Sequence, residues 1–393
     1  MRIALVGARS FPARHGGIER AVESLAHEYV RLGHEVTVLV ADDEGSPVAP
    51  NPRVRRVPAL PGKYTMALTQ ALTSVFRTSS RRLDLVHVHG IGPGMVVPLL
   101  AARGLPVVLT VHALDFERDK WPPAARRLFK ALSGPGVRRA DRVVCVADHL
   151  ANDVERLYGV RPTVIPNGVE ATSTPEVPAV LGEQGLADRG YLLFVGRLVP
   201  EKRVDVLLRA YATLDAALPL VVVGGGSGSY AGGYEAELRA AAPRGVVFLG
   251  EQPHDRVCGL IDHAAALVNP SRLEGLPLTV LEARVLGTPT VLSDIAPHRE
   301  LAGEASNLVP VDDVAGLAEA LRDAVGEREA RVRRAQAESP GARRRWSWES
   351  VAGQTLQVYD EVLADRSEAR DRRRPDGATE HGAGRSRRDV EPG

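Results

Sequence analysis

Two glutamates eight residues apart, Glu274 and Glu282, enclose Gly275-Leu276-Pro277-Leu278-Thr279-Val280-Leu281. Glycine and proline soon after Glu274 predict a loop, and the apolar run ending at Glu282 predicts the first turns of a helix. Backbone N–H groups at such a helix mouth attract anions, and carboxylates accept hydrogen bonds from sugar or ribose hydroxyls. The same spacing also suits a surface helix with two solvated glutamates. A second candidate is Gly196-Arg197-Leu198-Val199-Pro200-Glu201-Lys202, directly after a strand. An arginine fork and a lysine point charge there suit a diphosphate, although a solvated basic loop has the same composition. A third is Gly16-Gly17, between the first strand and a helical pattern, where backbone approaches a ligand closely and free amides lie near a helix start. His112 follows a buried strand; a structural histidine also fits that position. His87 and His89 alternate on the strand before it, without a carboxylate or thiolate at ligand spacing, so no metal site is expected. No Asp-x-Asp pair stands where it would hold a cation against a diphosphate. The Gly-x-Gly-x-x-Gly dinucleotide fingerprint and the phosphate loop ending in Gly-Lys-Ser/Thr are both missing, which disfavours a nicotinamide dehydrogenase.

The elements that must position these groups are α/β in type. Short β-branched runs at Ile3–Gly7, Glu35–Ala41, Leu85–His89, Val107–Val111 and Arg142–Val146 alternate with amphipathic stretches. That is the pattern of a parallel sheet covered on both faces. It restarts at Tyr191–Gly196 and recurs at Leu220–Gly224, Val246–Gly250, Ala266–Asn269 and Pro289–Leu292, so a second domain of the same class is expected. The expected divisions are 1–170, a linker at 171–189 of hinge-like composition, a second domain at 190–345, a docked helix at 346–364 and a disordered tail at 365–393. In the docked helix Trp348, Val351, Thr355, Val358 and Val362 recur at helical spacing, and its tryptophans read as packing anchors. The tail is nearly free of apolar residues and so has little to offset its ordering entropy.

Bulk properties narrow the function further. The 393 residues exceed what one hydrophobic core usually supports, and a net charge of +1 argues against a protein built for nucleic acid. Two distant cysteines, Cys145 and Cys258, argue against disulfides or a thiolate metal site and fit a reducing cytoplasm. No signal segment is visible, and no apolar run approaches the roughly 20 residues needed to cross a bilayer. Arg118, Lys120, Trp121, Arg126, Arg127, Lys130, Arg138 and Arg139, with Leu128, Phe129 and Leu132 among them, form a basic amphipathic face. It suits either anionic lipid at the inner membrane face or plain solvation.

Several segments in one order resemble family 4 of the retaining glycosyltransferases. They are Gly16-Gly17-Ile18-Glu19, Ala140–Val146, Ile165-Pro166-Asn167-Gly168-Val169, Phe194–Leu198 with Lys202, Pro270–Pro277, and the closing Trp348–Tyr359 segment. The resemblance spans nearly all of residues 1–364. Pro12–Gly17 and His112–Trp121 look like the bacterial, rhamnosyltransferase-like enzymes that build envelope or secreted polysaccharides. The resemblance implies the GT-B architecture: two Rossmann-like, doubly wound domains facing across a cleft, with the C-terminal helix packed back on the N-terminal domain. It also implies a nucleotide-sugar co-substrate (UDP-, GDP- or dTDP-sugar), a glycan, lipid-linked or small-molecule acceptor, no cofactor and no metal. Under it, Arg197 and Lys202 hold the diphosphate and Gly16 and Gly17 approach it. Glu274 contacts the transferred sugar, Gly275, Leu276, Pro277 and Leu278 help bind the donor, Glu282 binds the ribose, and His112 lies near the reacting carbon. Ala113 stands where the family often has glycine, and Ala147 where it commonly has serine. A transferase acting on small natural products and a GT-B sugar-nucleotide epimerase are the alternatives.

Overall fold

The computed structural model describes residues 1–13, 16–41, 51–60, 66–78, 82–117, 122–170, 179–183, 185–214, 218–226 and 233–372. Strands β1 (Arg2–Val6), β2 (Glu35–Val40), β3 (Arg53–Arg56), β4 (Leu85–His89), β5 (Val107–Val111), β6 (Arg142–Cys145) and β7 (Thr163–Val164) form one sheet, ordered β3-β2-β1-β4-β5-β6-β7. Strands β8 (Leu192–Val195), β9 (Leu220–Val223), β10 (Val246–Gly250), β11 (Ala266–Asn269), β12 (Thr290–Ser293) and β13 (Ser306–Val309) form a second, ordered β10-β9-β8-β11-β12-β13. All described pairings are parallel. Each sheet is therefore doubly wound, and its strand order reverses at one point: between β1 and β4 in the first, between β8 and β11 in the second. Crevices at such reversals, beyond the carboxyl ends of the strands, are where open α/β sheets take ligands.

The central strands read as continuous apolar runs because both faces are covered, whereas edge strand β3 is Arg-Val-Arg-Arg and mostly exposed. In β1, Ile3 and Leu5 enter one core while Ala4 and Val6 enter the other. The first of these cores is completed by chain that comes much later. Helix Trp348–Asp371 lays Trp348, Val351, Val358, Tyr359 and Val362 against helix Gly17–Arg31 and the β1 face. The five positions at helical spacing are all buried, as expected.

The crossing point is sharp. Trp346 belongs to the core of the second half and Trp348, two residues on, to that of the first. Beside them Val169 N–H donates to the Trp346 carbonyl at 2.8 Å. A Cβ on Gly168 would fall 2.5 Å from the Trp348 ring, so only glycine admits the indole there.

The helix runs to Asp371 and so takes in the first seven residues of the expected tail. Arg366 makes a two-pronged contact with Asp141, at 2.8 Å for each prong, and Arg142 meets Asp365 at 2.7 Å. Charged partners from the first half hold this turn where apolar residues have ended. Residues 373–393, most of that tail, lie outside the described residues, as do 171–178 and 184 of the expected linker; residues 179–183 of that stretch form a short helix.

Candidate active site

Loops at the two strand-order reversals face one another. From the second sheet come Gly196–Lys202 after β8 and Pro270–Pro277 after β11; from the first come Gly16 and Gly17, at the start of helix Gly17–Arg31, and His112 after β5. Gly16, Gly17, His112, Arg197, Lys202, Glu274, Gly275, Leu276, Pro277 and Leu278 all line one cavity of about 340 Å³. Of the donor-site residues expected from the sequence, only Glu282 is missing from that wall. It lines an adjoining cavity of about 680 Å³ with His254, and Arg20 and Leu278 border both.

The halves touch at this point. A Cβ on Gly275 would lie 2.1 Å from the His112 carbonyl oxygen and 3.2 Å from the Ala113 Cβ, and one on Gly17 would lie 3.2 Å from Leu278 Cδ1. Glycine at 275 is thus demanded by close approach between halves. The loop is tied down from beneath: Ser271 donates from its N–H and its Oγ to Asn269 Oδ1, at 3.2 and 2.5 Å. Asn269 Nδ2 in turn donates to Glu274 Oε1 at 3.3 Å.

Lys202, in a 3-10 turn after β8, places its Nζ 2.5 Å from Glu274 Oε1. Burial would push the Glu274 carboxyl up, but Lys202 outweighs it and the group falls to about 2. Glu274 is therefore a carboxylate at neutral pH. Arg197 is exposed at the cavity wall.

Glu282 behaves differently. It sits in helix Leu278–Leu286, which starts after Pro277, and its side chain is only 2% exposed. Burial pushes its carboxyl up to about 7, although Arg20 Nη1 lies 3.1 Å from Oε1 and pulls the other way. Arg20 reaches it across the cleft from helix Gly17–Arg31. The sequence reading missed Arg20, and a signal was present: a cation in the first turn of a helix opposes the macrodipole and needs a partner.

His112 is buried, and burial pushes its imidazole down to about 4, so it is neutral. Its Nε2 shares a hydrogen bond with His89 Nδ1 at 3.1 Å. His87 beside it bonds Tyr359 Oη at 2.5 Å and Thr110 Oγ1 at 2.6 Å. The strand histidines thus join the closing helix to the floor of the site.

On the other side of Glu274 and Gly275, Glu117, His149, Asp153 and Arg272 line a smaller cavity of about 160 Å³. Here helix Asp148–Tyr158 starts after Ala147, which offers no capping side chain. Glu300 of the second half replaces it, accepting from the N–H groups of Asp148 and His149 at 2.9 and 2.7 Å and pairing with His149 Nδ1 at 2.7 Å. In the expected basic face, Leu128 and Leu132 are exposed on helix Pro123–Arg139. Phe129 instead turns inward, against Phe116 and the core, so it leaves that face. Arg118, Lys120 and Trp121 lie outside the described residues. No helix among the described residues is long and apolar enough to cross a membrane.

Comparisons with known proteins now bear on this geometry. The family model Glycosyltransferase Family 4 matches residues 15–173, and Glycosyl transferases group 1 matches residues 182–339. Glycogen synthase of Mycobacterium tuberculosis (strain H37Rv) is 30% identical over an alignment covering 94% of this chain and 96% of its own. The chain is a family 4 glycosyltransferase. D-inositol 3-phosphate glycosyltransferase of Rhodococcus opacus is also 30% identical, over 91% of this chain and 90% of its own. The relatives named are a glycogen synthase and a D-inositol 3-phosphate glycosyltransferase rather than the rhamnosyltransferase-like enzymes suggested by residues 12–17 and 112–121; two short loop segments are too little chain to fix a subgroup. Sucrose-phosphate synthase from Thermosynechococcus elongatus superposes with a TM-score of 0.81 at 21% identity, covering 93% of this chain and 99% of its own. The Anabaena protein HepE, in complex with UDP and glucose, gives 0.77 at 17%, covering 92% and 100%. At those identities the likeness establishes the GT-B fold of this glycosyltransferase.

Proposed function

We propose that this glycosyltransferase moves a hexose from a UDP-sugar to a hydroxyl of a glycan or polyol, with retention of configuration and with no metal requirement. The observation that carries the reading is the meeting of Arg197, Lys202 and the Glu274–Leu278 segment with Gly16 and Gly17 in one cavity. Arg197 and Lys202 are assigned to the diphosphate, joined by the N–H groups at the start of helix Leu278–Leu286. As the glycosidic bond loosens, negative charge grows on the leaving diphosphate, and fixed cations in a partly dry cleft stabilise it more than they stabilise the bound donor. Glu274, ionised and held by Lys202 and Asn269, accepts hydrogen bonds from hydroxyls of the transferred sugar. Glu282, whose Oε2 has no hydrogen-bond partner among the described residues, takes the ribose hydroxyls in the adjoining cavity. His112 faces the sugar near the reacting carbon. The acceptor enters by the smaller cavity beside Glu117, His149 and Asp153. UDP is favoured because HepE, of the same fold, was captured with UDP and with UDP-glucose.

A thermal-shift panel of UDP-, GDP- and dTDP-sugars tests the donor, since ligand at a hundred times its Kd stabilises by roughly 2.7 kcal/mol. Arg197→Ala is expected to fold normally and to lose about a hundredfold or more in turnover. Near-wild-type transfer in that variant would remove the diphosphate assignment, and conversion of the donor without any acceptor would make the enzyme an epimerase.

A further inference from the structure

A cluster of groups beside the ribose region has a use the transfer reaction does not require. Helix His254–Asp262 carries His254 and Cys258 four residues apart, hence on one face. Glu282 meets them from helix Leu278–Leu286, and one ligand atom from each of the three lies within 4.8 Å of the others. Cys258 Sγ is 3.6 Å from His254 Nε2 and 3.9 Å from Nδ1, and His254 Nδ1 is 3.8 Å from Glu282 Oε1. Around a tetrahedral ion with metal–sulfur and metal–nitrogen bonds of about 2.3 and 2.0 Å, neighbouring donors stand roughly 3.3–3.6 Å apart. Through His254 Nδ1, the separations from Cys258 and from Glu282 need to contract by only about half an ångström, and the Cys258 and Glu282 donors lie within 4.8 Å of each other.

Two further observations point the same way. Among the described residues, Glu282 Oε2 is buried without a hydrogen-bond partner, Arg20 being on the other oxygen. His254 and Glu282 also line the 680 Å³ cavity, which gives an ion an entry path and leaves a fourth position open to water. One sulfur, one imidazole nitrogen and one carboxylate oxygen suit zinc-like ions rather than magnesium or calcium, which take oxygen ligands.

We propose that His254, Cys258 and Glu282 form a site for a thiophilic divalent cation and that the ion, once bound, excludes the nucleotide-sugar donor. The second half of this statement rests on the assignment of Glu282 to the ribose. On binding, the Cys258 thiol releases its proton to solvent and ligates as the thiolate, with no change in oxidation state. The Arg20 side chain is 38% exposed and has room to turn outward as the ion arrives. The sequence conceals this site because its single cysteine has no cysteine partner, and because Glu282 lies 24 residues beyond Cys258.

The test uses the full chain, stripped of metal and kept reduced, with cobalt(II) and zinc as probes. One cobalt per chain is expected, with a near-ultraviolet thiolate charge-transfer band that disappears in Cys258→Ser, while metal-free transfer by that variant stays at the wild-type rate. Zinc at ten times its Kd is expected to raise the donor KM roughly tenfold without lowering kcat, reversibly on chelation, and to leave Cys258→Ser unaffected. His254→Ala supplies a second binding variant should Cys258→Ser fold poorly. A wild-type chain that binds neither ion, or binding unchanged in both variants, overturns the site. Zinc binding that is lost in the variants but inhibits without being relieved by added donor keeps the metal site and overturns the ribose role of Glu282.

Discussion

Gly275→Ala is the most direct perturbation of the contact between the two halves. The added methyl would sit 2.1 Å from the His112 carbonyl oxygen, and real Cβ contacts essentially never fall below 3.0 Å. One wall must retreat by roughly an ångström. Neither wall yields easily by itself: His112 directly follows a buried strand and is bonded to His89, while the loop of Gly275 is pinned by Ser271 and Asn269. The movement is therefore expressed as an opening of the cleft, which draws His112 and Gly17 away from Glu274 and Lys202. A displacement of about 1 Å at a reacting centre costs up to about a hundredfold, so kcat is expected to fall between about ten- and a hundredfold. Under the proposed assignment, the donor's charged and hydroxyl-binding contacts (Arg197, Lys202, Glu274 and Glu282) lie on the second half, so its Kd is expected to change by less than about threefold. Overpacking inside a closed core costs about 1–3 kcal/mol, but a cleft can relieve it, so the loss of stability is expected at or below the bottom of that range. Steady-state transfer at saturating donor and acceptor gives kcat, calorimetric titration with UDP gives the Kd, and a melt checks folding. A folded Gly275→Ala enzyme with kcat within about twofold of wild type would refute the claim that transfer needs the halves this close.

Three other outcomes are expected. Trp348→Ala empties the pocket over Gly168 and should destabilise by about 3–5 kcal/mol, read from denaturant unfolding; a loss under about 1 kcal/mol would show that the indole is not a packing anchor. The Glu274 carboxyl lies below its ordinary value in the folded chain, so its contribution to stability is present above about pH 4.5 and is lost as pH falls towards 2; from the size of the shift it is on the order of 3 kcal/mol. Urea midpoints of wild type and Glu274→Gln should accordingly converge as pH drops from about 7 to 3, and a gap that ignores pH would contradict the pairing with Lys202. If Arg197 and Lys202 supply the positive charge at the diphosphate, as proposed, transfer should survive EDTA; loss on chelation with recovery on adding magnesium or manganese would count against that.

The fold was largely legible because a parallel sheet covered on both faces leaves a strong trace, and runs such as Val107–Val111 admit few other readings. The placement of Arg197, Lys202 and Glu274 followed from their positions just after strands. What stayed hidden depends on partners distant in sequence. Nothing near Glu282 announces that it is buried under Arg20, 262 residues earlier, or that burial lifts its carboxyl to about 7. Ala147 looked like a lost hydroxyl until Glu300, from the opposite half, proved to cap the same helix. Residues 365–371 carry no apolar signal and are ordered by Asp141 and Arg142. Local pattern fixes elements; ion pairs between halves must be seen.

The passage of the chain from Trp346 to Trp348 also bears on biosynthesis. Ile3, Leu5, Tyr29 and Val108 form an apolar face that Trp348, Val358 and Tyr359 cover. Those three are synthesised only after the whole second half. The first half must therefore wait with that face open during translation. Its risk of sticking to other chains is greatest before the last helix emerges, and factors that shield nascent chains, rather than any property of the finished enzyme, should govern its yield in the cell.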